Sequence, residues 1–114
     1  MKKLIILLIL IIITAVANAT TYRVKYDVQK QQSASFTIQV NSDRLVVGNN
    51  AFSLRRMGTI TNSGLTFNSY AYGDRDRMFC VSTTSITVEK NMFSRLTGYI
   101  IMIDNKAYLA DKIN

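Results

Sequence analysis

GYIIMIDNKAYLA, residues 98–110, is the stretch that decides the fold. It opens with an apolar run from Tyr99 to Ile103, which is too short for a globular helix and is typical of a strand buried on both faces. Asp104 and Asn105 follow, and such residues tolerate the left-handed backbone of tight turns. The apolar pattern resumes at Ala107. We therefore predict a β-hairpin that other strands must cover.

Alternation of apolar and polar residues predicts further strands. Residues 22–28 and 36–40 alternate on either side of a polar turn at 30–33, which makes a first hairpin. The charges that alternate along residues 22–28 suit an exposed sheet edge. Residues 44–47 predict a third strand, which ends at the turn residues 48–50.

Strands are also predicted at residues 65–72, 78–82 and 85–89. Residues 51–57 fit either one turn of helix or a strand, and we favour the strand because its neighbours are strands. Residues 90–97 fit either a short helix or a long hairpin loop, because Met92, Phe93 and Leu96 have helical spacing. The fold class predicted is all-β, a small antiparallel sandwich or barrel of about seven to eight short strands.

The first nineteen residues have the pattern of a secretory signal peptide. Lys2 and Lys3 provide a positive start, residues 4–13 are uniformly apolar, and residues 17–19 read Ala-Asn-Ala. An uncleaved membrane anchor is disfavoured because the apolar part falls short of the ~20 residues that a bilayer requires. We expect a helical signal peptide at 1–19, cleavage after Ala19, and a single β domain at 20–114 that is secreted or periplasmic.

Composition excludes several classes of chemistry. The chain has no His and a single Cys, so His-dependent catalysis and zinc sites built from His or several Cys lack their ligands. The glycines are scattered singly, and no phosphate-binding loop is present. We expect no cofactor, no metal and no enzymatic activity. Without Lys2 and Lys3, 12 of the 14 Lys and Arg remain against 7 Asp and Glu, a net charge of +5.

The single cysteine, Cys80, is an unpaired thiol, because no intrachain disulfide is possible. Its neighbours Phe79 and Val81 suggest a strand. A lone cysteine in a strand is usually a small buried apolar residue. An intermolecular disulfide or a redox-sensitive thiol is the alternative for a protein in an oxidising compartment.

Basic and aromatic residues form the candidate binding site. Clustered arginines with nearby tyrosines suit an anionic partner, since the guanidinium group pairs with phosphates and carboxylates. An evenly charged surface without a patch is the competing interpretation. Export makes nucleic acid an unlikely partner and leaves an anionic envelope polymer, a lipid headgroup or an acidic protein. The candidate residues are Arg55, Arg56, Tyr70, Tyr72, Arg75 and Arg77.

Carboxylates offer the remaining catalytic possibility, since two suffice for glycoside hydrolysis. Asp74 and Asp76 are close in sequence but alternate with arginines in a charged loop, which is typical of solvated surface charge. Met78 occupies a position where a calcium loop needs an oxygen ligand.

Ser63-Gly64, the aromatics through Tyr72, and Gly73-Asp74 loosely resemble the loop signature of periplasmic C-type lysozyme inhibitors, which are small exported β-barrels. The tryptophan-lysine element and paired cysteines of that family are missing, and a basic lysozyme would repel a protein of charge +5. No family is assigned on this resemblance. The function predicted is a non-catalytic binding or structural component of the bacterial cell envelope. The alternatives are a carboxylate-dependent small hydrolase and an inhibitor-like module that pairs through an edge strand.

Overall fold

A computed structural model describes residues 19–113, which form an antiparallel all-β fold. The prediction of an antiparallel all-β fold is confirmed, but the described part has nine strands in one sheet where seven or eight were predicted. The predicted signal peptide lies outside the described residues except for Ala19, which is buried. The strands are β1 (Thr20–Asp27), β2 (Gln32–Val40), β3 (Arg44–Val47), β4 (Asn50–Asn62), β5 (Leu65–Tyr72), β6 (Arg77–Ser82), β7 (Ile86–Asn91), β8 (Ser94–Ile103) and β9 (Lys106–Lys112).

All nine strands belong to one sheet, in the order β6-β5-β4-β3-β2-β1-β9-β8-β7. β6 also pairs with β8 through residues 79–81 and 101–103. This pairing closes eight strands into a ring, and the fold is therefore one closed sheet instead of two facing sheets. β7 lies outside the ring and pairs with β8 alone among the described strands.

The central hairpin is confirmed as β8 and β9, with Ile101 opposite Tyr108 and Ile103 opposite Lys106. Asp104 takes the left-handed backbone of the turn, at φ 55°. Ile100 and Ile101 point to opposite faces, yet they are only 9% and 0% exposed. The prediction that this strand is buried on both faces is therefore correct.

Two apolar clusters lie on the two faces of the sheet. The inner cluster fills the ring and includes Ile38, Leu45, Phe79 and Ile101. The outer cluster packs against the other face of strands β5, β6, β8 and β9. Its fully or nearly fully buried members are Tyr26, Phe67, Cys80, Ile100 and Leu109. Burial on both faces explains why residues 79–81 of β6 and the end of β8 are apolar.

The edge prediction for residues 22–28 is wrong, because β1 pairs with β2 on one side and β9 on the other. The alternating charges reflect one wet face of an interior strand. The strand favoured for residues 51–57 is confirmed, whereas both alternatives for residues 90–97, a short helix and a long hairpin loop, are wrong because the turn there has only two residues. Residues 51–57 belong to β4, and residues 90–97 form the turn and flanking strands of the β7–β8 hairpin. Met92 and Phe93 have helical spacing with Leu96 but are exposed at the hairpin turn, and so they do not share one buried face.

β4 changes partners midway along its length. Residues 50–53 pair with β3, whereas residues 54–62 pair with β5. The first part of β4 therefore faces the β5–β6 turn, residues 73–76, on the side away from β3. This offset leaves a groove in the surface of the ring.

The two ends of the ring carry different connections. Because neighbouring strands are antiparallel, the turns at residues 28–31, 48–49, 73–76 and 104–105 lie at one end, here called the upper end. The loops at 41–43, 63–64 and 83–85 and the tip of the β7–β8 hairpin lie at the lower end.

Candidate functional site

The site lies where β4 leaves β3, beside the β5–β6 turn. A groove of about 690 Å³ is lined by Ala51, Phe52, Ser53, Gly73, Asp74, Arg75 and Arg77, and we call it the Phe52 groove. Two further pockets adjoin it at Phe52. One, of about 540 Å³, extends towards Asp43 and Arg44. The other, of about 360 Å³, extends towards Asp104 and Tyr108.

Backbone contacts fix the turn against β4. The Gly73 N–H donates to the Ser53 carbonyl oxygen across 3.0 Å. Gly73 has φ 75°, a conformation that glycine adopts without strain. Arg55 forms an ion pair with Asp76 in the same turn. Both of these side chains are largely exposed, so this ion pair orients the turn more than it stabilises the fold.

Phe52 and Tyr72 form the aromatic wall of the site. Their ring centroids are 5.2 Å apart in an edge-to-face arrangement, which is a favourable geometry for aromatic pairs. Tyr72 is 2% exposed, whereas Phe52 is only partly buried and lines all three pockets. Phe52 also packs against the inner cluster, so part of the residue is buried in the ring and part is accessible.

Tyr72, Arg77 and Asp104 form a connected polar cluster at the upper end. The Tyr72 hydroxyl donates to Asp104 Oδ2 across 2.9 Å. The same carboxylate oxygen accepts a hydrogen bond from Arg77 Nη2. The Arg77 guanidinium also lies over the Tyr72 ring, 5.2 Å from its centroid, within the range of cation–π attraction. The strands β5 and β6 are thus joined to the β8–β9 turn through one carboxylate.

This cluster shifts the pKa values of its members. Burial raises the pKa of Tyr72 to about 12, with further contributions from the hydrogen bond to Asp104 and from its charge. Burial opposes ionisation of Asp104, but the hydrogen bonds from Arg77 and Tyr72 outweigh it and lower the pKa of that carboxyl. Asp104 is therefore held as a carboxylate and Tyr72 as a neutral phenol at physiological pH.

The charges around the groove leave one cation free. Within residues 19–113, Arg75 has no ion-pair partner, whereas Arg77 is paired with Asp104. A guanidinium has five N–H donors, so the ion pair leaves Arg77 with donors for a ligand. Asp74 is also in the wall of the groove, which therefore carries two positive charges and one negative charge.

The structure brings together most of the predicted binding residues. Arg75 and Arg77 line the Phe52 groove, Tyr72 lies behind it, and Arg55 holds its turn. Arg56 and Tyr70 do not belong to it. They pair with each other across β4 and β5, and Tyr70 packs on Phe79 with ring centroids 5.7 Å apart.

Phe52 and Asp104 were missed by sequence reasoning. Phe52 stood in a segment of ambiguous secondary structure, and Asp104 was identified only as a turn residue. Asp104 is 32 residues from Tyr72 in the chain, and no local pattern signals their contact. The apolar Phe52 next to the turn-forming residues 48–50 is the only signal that the sequence offers.

Cys80 is 0% exposed and lies in the outer cluster. Its Sγ is 3.8 Å from the Ser69 hydroxyl oxygen, consistent with a weak S–H hydrogen bond. The thiol lies on the face of β6 opposite Phe79, which belongs to the inner cluster.

The described residues contain no group of three or more acidic or cysteine side chains placed to hold a metal ion. In the same range, no helix has the length and apolar character needed to span a bilayer. Comparison with protein-family models, curated proteins and solved structures finds no match to this chain.

Proposed function

We propose that this protein is a non-catalytic component of the bacterial cell envelope that binds an anionic polymer in the Phe52 groove. The observation that carries the proposal is the convergence of Arg75, Arg77 and Phe52 on one groove of about 690 Å³. Arginine guanidinium groups form paired hydrogen bonds with phosphate and carboxylate groups. A partly exposed aromatic ring beside them suits the apolar face of a sugar or a glycerol unit.

A polymer suits the site better than a small ion does. The Phe52 groove and two further pockets all have Phe52 in their walls, and one of those pockets also has Arg44 in its wall. An extended chain with repeated anionic groups could contact Arg44 and Arg75 together. The signal-peptide pattern at residues 1–19 supports a partner outside the cytoplasm.

Hydrolysis by carboxylates is not favoured by the same geometry. Asp76 is paired with Arg55, and Asp104 is paired with Arg77. The lowered pKa of Asp104 keeps it ionised, whereas a general acid requires a raised pKa. A binding role uses these carboxylates to orient the arginines.

The experiment is a binding titration with a polyglycerol-phosphate teichoic acid, with dextran as the uncharged control polymer. Replacing Arg75 and Arg77 together by Ala should weaken binding of the charged polymer by about tenfold or more, because charged hydrogen bonds contribute roughly 1.5–3 kcal/mol each. Arg23→Ala removes an exposed arginine on β1 and is the matched control, for which we expect less than a twofold change.

Asp74→Asn should change the affinity for the charged polymer in the opposite direction. It removes the negative charge from the groove wall, so binding of the charged polymer should become tighter. The double variant removes two positive charges and Arg23→Ala removes one, so a diffuse charge effect would give Arg23→Ala about half the loss of binding free energy seen for the double variant, and that result would contradict the proposal. Binding of dextran as strong as that of the teichoic acid would contradict it too.

A further inference from the structure

The β7–β8 hairpin has an apolar tip at the lower end of the ring. Met92 and Phe93 occupy the two-residue turn and are 88% and 92% exposed. Single exposed apolar residues are ordinary, but two adjacent large ones at the end of a projecting hairpin are not. The remaining exposed large apolar side chains of the described residues lie elsewhere on the surface, as Met57 does on β4.

The hairpin holds this tip in a fixed position. The Asn91 side-chain oxygen accepts the Phe93 N–H across 2.8 Å, which shapes the turn. Between the tip and the ring, Val88 and Leu96 pack against the outer cluster. Met92 lies four positions after Val88 and Phe93 lies three positions before Leu96, so the tip extends roughly 10–13 Å beyond this anchored layer at ~3.3 Å per strand residue.

Basic side chains flank the tip. Lys90 and Arg95 lie on its two sides, and both are exposed. Arg95 is 3.7 Å from Glu89, whereas Lys90 has no carboxylate partner within residues 19–113. The hairpin therefore presents an apolar end with a net positive rim.

We propose that the β7–β8 hairpin inserts Met92 and Phe93 into the interfacial region of an anionic lipid bilayer, with Lys90 and Arg95 at the headgroups. Apolar side chains that penetrate ~5–10 Å, combined with attraction to anionic lipids, are the two elements of interfacial membrane binding. The projection of roughly 10–13 Å gives the tip the reach it needs without burying the ring. Charge complementarity selects an anionic bilayer over a neutral one.

The Phe52 groove lies away from this surface. β8 runs from the hairpin tip to the upper end, and its ten residues span roughly 30 Å. A protein bound to the bilayer through Met92 and Phe93 therefore holds Arg75 and Arg77 away from the lipid. The bilayer site is independent of the proposed polymer site, because the two use different residues at opposite ends.

The first test is flotation with vesicles of phosphatidylglycerol and phosphatidylcholine. The protein is expressed from the full sequence and purified in the form that the cell produces. We expect binding to these vesicles and weak or no binding to pure phosphatidylcholine. The double variant M92S/F93S should bind about 100-fold more weakly, since each buried apolar side chain contributes roughly tenfold or more. Met57→Ser, which removes an exposed apolar side chain on β4, should change binding by less than twofold.

A second measurement locates the tip directly. The chain has no tryptophan, so Phe93→Trp introduces a single fluorescent reporter. Its emission should shift to the blue with anionic vesicles and be quenched by lipids with brominated acyl chains, while Met57→Trp should show neither effect. M92S/F93S should leave teichoic acid binding unchanged, which separates this proposal from the polymer site.

Three results would overturn the inference. One is binding to anionic vesicles that M92S/F93S retains, which would assign it to another part of the chain. Another is an unquenched Phe93→Trp reporter on bound protein. The third is no vesicle binding together with a change of oligomeric state in M92S/F93S, which would make the tip a contact between copies of the chain.

Discussion

Tyr72 and Asp104 are joined by a hydrogen bond of 2.9 Å from the phenolic hydroxyl to Oδ2, which links the end of β5 to the turn between β8 and β9. Arg77 donates to the same oxygen, so one carboxylate in this turn holds both β5 and β6 at the upper end of the ring. The cluster also supports the aromatic wall of the Phe52 groove through the Phe52–Tyr72 contact. Stability and binding therefore depend on the same few residues.

Tyr72→Phe tests this link with little change in shape. The ring keeps its packing, but Asp104 loses one hydrogen-bond donor, so the free energy of unfolding should fall by about 1–2 kcal/mol. The melting temperature should drop by several degrees, at about 4–8 °C per kcal/mol for a domain of this size. Tyr70→Phe is the matched control, because the Tyr70 hydroxyl has no hydrogen bond to another described side chain, and its effect should stay within about 0.5 kcal/mol. Equal effects of the two variants would contradict the role given to Asp104.

The lowered pKa of Asp104 predicts how the stability of the fold changes in acid. Its pKa is lower in the folded protein than in the unfolded chain, so its ionised form stabilises the fold. This contribution is complete above the unfolded value of about 4 and is lost as the pH falls through the folded pKa. Urea unfolding at decreasing pH should show a decline below about pH 4 that is shallower in Asp104→Asn. An identical decline in the variant would show that other carboxylates account for it.

The raised pKa values of Tyr72 and Tyr22 predict how the stability of the fold changes in alkali. Burial raises the pKa of each to about 12, and the neighbouring Tyr70 and Tyr99 add to the effect at Tyr22. Since the unfolded phenols ionise near pH 10, their contribution to stability is complete below that pH and is lost as the pH rises towards 12. Burial also raises the pKa of Tyr108, so absorbance titration should find a group of late-ionising tyrosines made up of Tyr22, Tyr72 and Tyr108, and Tyr72→Phe should remove one of them. Ionisation of all tyrosines near pH 10 in the folded protein would contradict the burial described.

Gly98 is required where β8 passes from β7 to β9. A Cβ at this position would lie 2.6 Å from the Ala110 carbonyl oxygen and 3.2 Å from a Leu109 side-chain carbon. Gly98→Ala should therefore destabilise the fold by about 1–3 kcal/mol through overpacking. Ser35→Ala, at an exposed position of β2, should have almost no effect in the same thermal unfolding measurement. A Gly98→Ala variant as stable as the parent would show that β8 and β9 are not in this close contact.

The sequence predicted local structure well where a pattern acts over a few residues. The run from Tyr99 to Ile103 indicated a strand buried on both faces, and Ile100 and Ile101 are buried on opposite sides. Turn chemistry identified Asp104, whose φ is positive. The helical alternative at residues 90–97 arose because spacing alone cannot distinguish a buried helix face from an exposed hairpin tip.

Long-range pairing could not be predicted in the same way. The position of β1 inside the sheet depends on its pairing with β9, in which Val24 lies opposite Ala110. Nothing near residues 22–28 encodes that partner, and the alternating charges suggested an edge. The residues of the site divide in the same way, into those that a local pattern reveals and those that long-range pairing brings in. Arg75 and Arg77 were found by their proximity in sequence, whereas Phe52 and Asp104 join them only through the closed sheet.

The central claim is that an anionic polymer binds in the Phe52 groove, and amide NMR spectra recorded during a titration with teichoic acid test it most directly. We expect the chemical shifts to change at residues 51–53 and 73–77, with smaller changes at Arg44, while the hairpin tip at Met92 and Phe93 stays unchanged. Shift changes spread evenly over the basic surface, or confined to residues outside the groove, would contradict the claim.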